Sequence, residues 1–493
     1  MIKASDSRLA RLALSAAIAP VAAAALLAAG CGRTELDAAI PLPKGNPIPT
    51  APTFDESVNS DLDIVFMIDN SGSMQQEQDN LARNFPVFIA ALQSLPEGLP
   101  NVHVGVVSSD LGAGRYVGAN VEGCRIPGGD GGIFQALPRA LGGTCTSYPK
   151  PEPYLIVNGS KQNFGGDISS ALSCIAALGT GGCGFEHQIA SVWKALGGDV
   201  GGVPMRNQGF LRDDALLAIV LITDEDDCSA PADTDLFDPS QTLVTDPLGP
   251  IDSYRCNEFG HLCDGAPPPR TMAAMNLQNC TSNENGKLMR IADFVTFFKG
   301  LKASPDDVIV AAITGPPTPY SVMLQRVRER TTGTVEMEPR IVPSCTSSNG
   351  EAAPSVRIQQ FVQAFGDNGT FESICDGDFS PAMARIGDKI AGRIRHQCLE
   401  QPPVDRDPAR PGLQANCEVY QETKTSDGPV RTSIDSCDDA MPPCWRIQSD
   451  STCPGTGSEV IVDRGSVPAP PRTVISVLCE TCQTAEDPRC SGG

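Results

Sequence analysis

Residues 63–74 read D-I-V-F-M-I-D-N-S-G-S-M, and this stretch decides the fold. Ile64 to Ile68 form an unbroken apolar run, as expected of a strand covered on both faces. The run stops at Asp69. Asp69, Ser71 and Ser73 then fall at alternate positions, so one extended loop aims three oxygens the same way.

Three further runs have the same character: N-V-H-V-G-V-V-S-S (101–109), A-L-L-A-I-V-L-I-T-D (215–224) and D-D-V-I-V-A-A-I-T (306–314). T-F-E-S-I (370–374) supplies a last, shorter strand. Helical periods lie between them. Leu81, Phe85, Phe88, Ile89, Leu92 and Leu95 share one face, as do Ile291, Phe294, Val295, Phe298 and Leu301. Pro86 is expected to kink or restart the first of these helices. Residues 356–365 and 379–394 also read as helices. Strands alternating with helices predict an α/β fold, a doubly wound, mostly parallel, Rossmann-like sheet. Two Cys-containing insertions interrupt it, at about 110–165 (Cys124, Cys145) and 228–286 (Cys228, Cys256, Cys263, Cys280).

In such a sheet, ligands collect beyond the carboxyl ends of the strands. Asp69 ends the first strand and Asp224 ends the third (L-I-T-D), so both are expected on one rim. Carboxylate and hydroxyl oxygens without thiolate or imidazole select a hard divalent cation: Mg²⁺, Ca²⁺ or Mn²⁺.

D-N-S-G-S-M after an apolar strand, with T-D closing a later one, resembles the von Willebrand factor type A domain over about residues 59–396. That family's metal-ion-dependent adhesion site combines Asp-x-Ser-x-Ser with a threonine on a second loop and an aspartate on a third. The resemblance implies a metal set of Asp69, Ser71, Ser73, Thr180 and Asp224, with Mg²⁺ favoured. It also implies a binding mechanism, in which a partner protein's Asp or Glu completes the metal's coordination. Two departures stand out. Glu225, Asp226 and Asp227 follow Asp224 directly, as an exposed acidic loop or a second cation site. Cys174 and Cys183 bracket Thr180, so a Cys174–Cys183 bridge would stiffen that loop; Cys183–Cys228 is the rival pairing.

The histidines offer little. His103 lies within a strand, and His187 opens a helix, exposed or approaching the metal. No zinc-protease, serine-hydrolase or phosphate-loop motif is present.

The chain of 493 residues has 41% apolar residues, 48 glycines and 42 prolines, with a mean hydropathy of −0.11. This is a soluble globular composition with long loops. The formal charge is −22. Without the first thirty residues, where Lys3, Arg8 and Arg11 face Asp6, it is about −24, which argues against nucleic acid as a partner.

The N-terminus reads as a targeting segment. A basic start precedes an Ala/Leu-rich stretch to Gly30 that lacks charge after Arg11. It ends in L-L-A-A-G-C (26–31), which resembles a bacterial lipobox and implies lipidation at Cys31 and attachment to the cell envelope through a lipid anchor. Residues 31–58 are Pro-rich and aperiodic, a linker. Of 19 cysteines, 18 remain after Cys31, an even number suited to disulfides in an oxidising compartment. Eight fall beyond residue 396, from Cys398 to Cys490, and define residues 397–493 as a disulfide-rich, β-type module. Its Cys479-Glu-Thr-Cys482 is read as disulfide cysteines rather than a zinc site.

The sequence thus predicts an envelope-anchored, metal-dependent protein-binding protein and no enzyme. The alternatives are a structural protein whose cation ties loops together, and a metal-dependent hydrolase, for which only Glu225 or His187 offers a general base.

Overall fold

The computed structural model describes residues 53–55 and 61–481, apart from 96–98, 117–120, 122, 140–148, 160, 214, 329–333, 349, 395–396, 400–401, 406, 408–409, 411, 426–427, 450–457 and 466–472. The signal segment, Cys31, most of the linker, and Cys145, Cys453, Cys482 and Cys490 lie outside them. Among the described residues no helix is long and apolar enough to cross a membrane.

The fold is mixed α/β with a mostly parallel central sheet. Its seven strands run in the spatial order Gly369–Ser373, Val308–Thr314, Leu216–Ile222, Asp61–Ile68, Asn101–Ser108, Leu155–Asn158, Lys161–Gln162. The first five are mutually parallel and the last two antiparallel. All five expected strands therefore form, and in one sheet.

Seven helices occur among the described residues: α1 (Gln75–Gln93), α2 (Ile168–Ala176), α3 (Gln188–Ala195), α4 (Tyr254–Gly260), α5 (Ile291–Lys299), α6 (Val356–Gln363) and α7 (Ser380–Ile394). Along the central strand, side chains alternate between two cores because its period is two. Ile64, Phe66 and Ile68 pack with Phe85 and Phe88 of α1, Leu172 of α2 and Met383 and Ile386 of α7. Val65 and Met67 pack with Ile189 of α3, Phe294 and Phe298 of α5 and Phe361 of α6. Phe66 meets Phe85 and Phe88 edge-on at 5.5 and 5.4 Å.

α1 runs unbroken through Pro86, so of the kink or restart expected there, the restart does not occur. Proline removes the N–H that would have bonded the Ala82 carbonyl. The Ser173 hydroxyl of α2 donates to that carbonyl at 3.1 Å instead. A neighbouring helix thus satisfies what Pro86 leaves open.

A third excursion, residues 315–353, was not anticipated. It forms an antiparallel ribbon of Tyr320–Arg328 with Val335–Val342, extended by Met275–Leu277 from the second insertion. The hairpin Cys345–Ser347/Gly350–Ala352 follows.

The C-terminal residues form a separate sheet with its own core of Leu399, Val419, Ile434, Trp445, Val460, Ile475 and Val477. Cys417–Cys479 and Cys437–Cys444 staple it. Thr53–Asp55, inside the segment read as linker, adds a strand beside Thr473–Cys479. The staple at Cys479 reaches Cys417, not its near neighbour Cys482.

Candidate metal centre

The chain leaves the strand Asp61–Ile68 toward α1 on one face and the adjacent strand Leu216–Ile222 toward α5 on the other. Between them lies the crevice where an open sheet collects ligands. Asp69 and Thr223–Asp224 sit at the carboxyl ends of these two strands, and the Asp69 N–H donates to the Ile222 carbonyl at 2.9 Å.

Asp69 is fully buried. Its Oδ1 accepts from the Ser71 N–H at 2.8 Å and the Ser109 hydroxyl at 3.0 Å, and its Oδ2 from the Thr223 hydroxyl at 2.5 Å. Thr223 Oγ1 in turn accepts from the Glu225 N–H and from Gln188 Nε2. Burial raises the Asp69 carboxyl above the usual carboxylate range, and Thr223, Ser71 and Ser109 oppose that by hydrogen bonding. Ser71 Oγ and Ser73 Oγ lie 3.2 Å apart. Asp224 is buried beside Ser73, and its Oδ1 has no hydrogen-bond partner. Burial, then repulsion from Asp69 and Glu225, push the Asp224 carboxyl well up, with Ser73 opposing.

Thr180 sits half-buried on a loop tied to this rim through its neighbours. The Gly182 N–H donates to the Asn70 carbonyl at 2.8 Å, and a Cβ on Gly182 would stand 2.3 Å from Asn70 Oδ1. Gln78 of α1 donates to the Asp69 and Gly179 carbonyls and accepts from the Gly179 N–H. The Thr180 hydroxyl itself makes no hydrogen bond among the described residues.

Cys183 is bonded to Cys124, and Cys228 to Cys256. Both pairings considered for Cys183 are thus corrected: the bridge ties the Thr180 loop to the first insertion. Cys174 is disulfide-bonded as well, but not to Cys183. Cys263–Cys280 closes the second insertion.

The acidic run 225–227 is neither an exposed loop nor a single cation site. Asp226 accepts from the N–H groups of Val356, Arg357 and Ile358, capping α6 from outside that helix, and lies 2.9 Å from His261 Nε2. Burial would raise its carboxyl, but His261 and these backbone donors bring it below the usual range. Asp227 pairs with buried Arg357 at 3.0 Å, caps α3 at the Ile189 N–H and accepts from Ser229. Only Glu225 turns toward the rim. Burial and Asp69 push it up to about 7, with Glu186 and Arg340 opposing. Glu186, buried on the Thr180 side, is pushed well up by burial, Glu225 and Asp69.

Sequence reasoning missed Thr223, Ser109, Gln78, Glu77 and Glu186. Glu77 has an Oε2 without a partner, and its carboxyl is raised by burial and by Asp69. The signal was present for two of them: Thr223 directly precedes Asp224, and Ser109 ends its own strand run. His187 is buried rather than exposed. Its Nε2 bonds the Gly112 carbonyl at 2.9 Å and its Nδ1 accepts from the Ala230 N–H.

Among the described residues no three His, Cys, Asp or Glu side chains are grouped to hold a metal by themselves. The rim set is of another kind, two aspartates supplemented by hydroxyls. It suits a hard cation: the orphaned Asp224 oxygen, the paired serine hydroxyls and the mutual repulsion of Asp69, Asp224 and Glu225 all call for positive charge.

The rim opens into a cleft of about 510 Å³. Ser73, Glu186, Asp224 and Glu225 line one side. Met323, Gln325 and Arg340 of the ribbon line another, and Tyr254 and Asn257 of the second insertion a third.

No protein-family model matches the chain, and no curated protein matches it. Among solved structures, the pilus adhesin RrgA of Streptococcus pneumoniae aligns over 87% of this chain and 57% of its own, at 11% identity and a TM-score of 0.27. The chain therefore spans less than two thirds of that protein's length. A score at that level defines no shared fold. What fold and site define together is a mixed α/β protein, disulfide-bonded as exported proteins are, with an oxygen-rich rim at the switch point of its sheet.

Proposed function

We propose that this chain is an envelope-anchored binding protein that holds one divalent cation at the rim and captures a carboxylate of a partner protein there. The supporting observation is Asp224 Oδ1, buried without a partner beside Ser73 and next to a second buried aspartate. Asp69, Ser71, Ser73 and Asp224 supply the donors, with Thr180 on the adjoining loop. The site resembles that of a von Willebrand factor type A domain in the order and type of these residues. A bound divalent ion supplies an electrophilic centre for one partner carboxylate. The chain's residues hold and orient that ion at the mouth of the cleft. Desolvating the partner's carboxylate is costly, and direct coordination offsets that cost. Mg²⁺ fits the small hydroxyl-rich set best. Lipidation at Cys31 would place the protein on a membrane of the cell envelope, and binding, not bond-breaking, is its activity.

The test is a pull-down from the source cells with wild type and Asp69→Ala, each with and without chelator. Capture that is lost with chelator and lost in Asp69→Ala supports the reading. Capture unaffected by either overturns it.

A further inference from the structure

The cleft above the rim is lined by the carboxylates of Glu186, Asp224, Glu225, Asp226 and Glu351 and by a single basic side chain, Arg340. Arg340 projects from Val335–Val342, cross-strand from Met323, on the ribbon face turned to the rim. It borders the same cleft as Glu225 and Asp224. Its commitments are few. Nη2 donates to Glu338 Oε2 at 2.9 Å, and Nη1 forms a longer ion pair, without a hydrogen bond, with Asp252 Oδ2 at 3.8 Å. A guanidinium has five N–H donors in a planar fork, so most of Arg340's remain available. Its side chain is 36% exposed, accessible yet held in place by the ribbon.

An acidic cleft with one under-used arginine facing a cation site has a specific chemical consequence. With the rim loaded, the ion and Arg340 are two positive centres bordering one cavity. The cavity has the size of a small-ligand site rather than of a flat protein interface. We infer that Arg340 is a specificity-determining residue of this cleft, and that the occupant is an acidic segment presenting two carboxylates, one to the rim cation and one to the Arg340 guanidinium. The inference rests on the proposed cation site and adds the class of ligand. Such a segment is a partner loop or chain end with two acidic groups close together. Arginine suits the second contact because its fork matches a carboxylate bidentately, which lysine cannot do.

The probes are glutarate and its monoamide, equal in size but carrying two and one carboxylates. The full chain is loaded with Mn²⁺, and displacement of metal-bound water is followed by water-proton relaxation. Wild type should respond to glutarate at about tenfold lower concentration than to the monoamide, the scale of one charge-assisted contact. Arg340→Gln should bind Mn²⁺ yet lose that preference, and Arg340→Lys should retain part of it. Glu338→Gln, which frees Nη2, should increase it. No preference in wild type, or a preference unchanged in Arg340→Gln, overturns the inference. So does loss of Mn²⁺ binding in both Arg340→Gln and Glu338→Gln, since Arg340 would then serve the fold. Failure of wild type to take up Mn²⁺ at all would instead strike the cation site itself.

Discussion

Thr223 donates its hydroxyl to Asp69 Oδ2 at 2.5 Å, joining the carboxyl ends of two adjacent parallel strands. Thr223 Oγ1 itself accepts from Gln188 Nε2 and from the Glu225 N–H. Thr223 is therefore a positioning residue, fixing the orientation of the Asp69 carboxylate. Thr223→Val keeps the shape and removes the hydroxyl. It should destabilise the protein by about 1–3 kcal/mol, the cost of an unpaired buried acceptor. Urea denaturation reads this directly, and unchanged stability would show that Asp69 does not depend on Thr223.

Asp227 and Arg357 form an ion pair with no solvent exposure at either side chain. Removing one partner leaves the other charged in the interior, so Asp227→Ala should cost about 3–5 kcal/mol. Cation affinity in the protein that still folds should be little altered, because Asp227 faces α3 and α6. A large loss of metal with little loss of stability would return Asp227 to the cation site.

Glu225 and Asp252 are both pushed up to about 7 by burial. Their folded-state values exceed the unfolded ones, so their contribution to stability is fully present below about pH 4 and is lost as pH rises through about 7. Without divalent ions the melting temperature should fall between about pH 4 and 7 from these two groups. A divalent ion should recover the Glu225 share by taking over the proton's neutralising role. Glu225→Gln should flatten the slope in chelator. A melting temperature that climbs over this interval in chelator, or that no divalent ion changes, would contradict the account.

Ser173 supports the proline-containing helix α1 through the Ala82 carbonyl. Ser173→Ala should cost about 1 kcal/mol in the natural sequence. In a Pro86→Ala background the new N–H can bond that carbonyl, and the cost should shrink. A double-mutant cycle measures the coupling. Equal costs in both backgrounds would mean that the hydroxyl does not substitute for the missing donor.

The sheet was legible because its strands are buried on both faces and read as continuous apolar runs. Asp69, Ser71 and Ser73 were legible because their alternation begins where such a run ends. Other features depend on distant contacts. The acidic run 225–227 looks uniform in sequence, yet each carboxylate has a different destination, set by Arg357, His261 and the open end of α6. Cys183 lies nine positions from Cys174 but bonds Cys124 across 59, a choice that loop packing makes. The 315–353 ribbon did carry a signal in Y-S-V-M-L-Q (320–325), where buried Val322 and Leu324 alternate with exposed Met323 and Gln325. Short alternation beside so many turn residues is easily passed over.

The central claim is that Asp69 anchors a divalent ion at the rim. Calorimetric titration of Mn²⁺ into the metal-free full chain, beside Asp69→Ala and checked by elemental analysis, tests it most directly. The account predicts about one ion per chain in wild type. It predicts none in Asp69→Ala, with the far-ultraviolet circular dichroism of the two proteins superimposable. Equal uptake of Mn²⁺ by Asp69→Ala and wild type would contradict it.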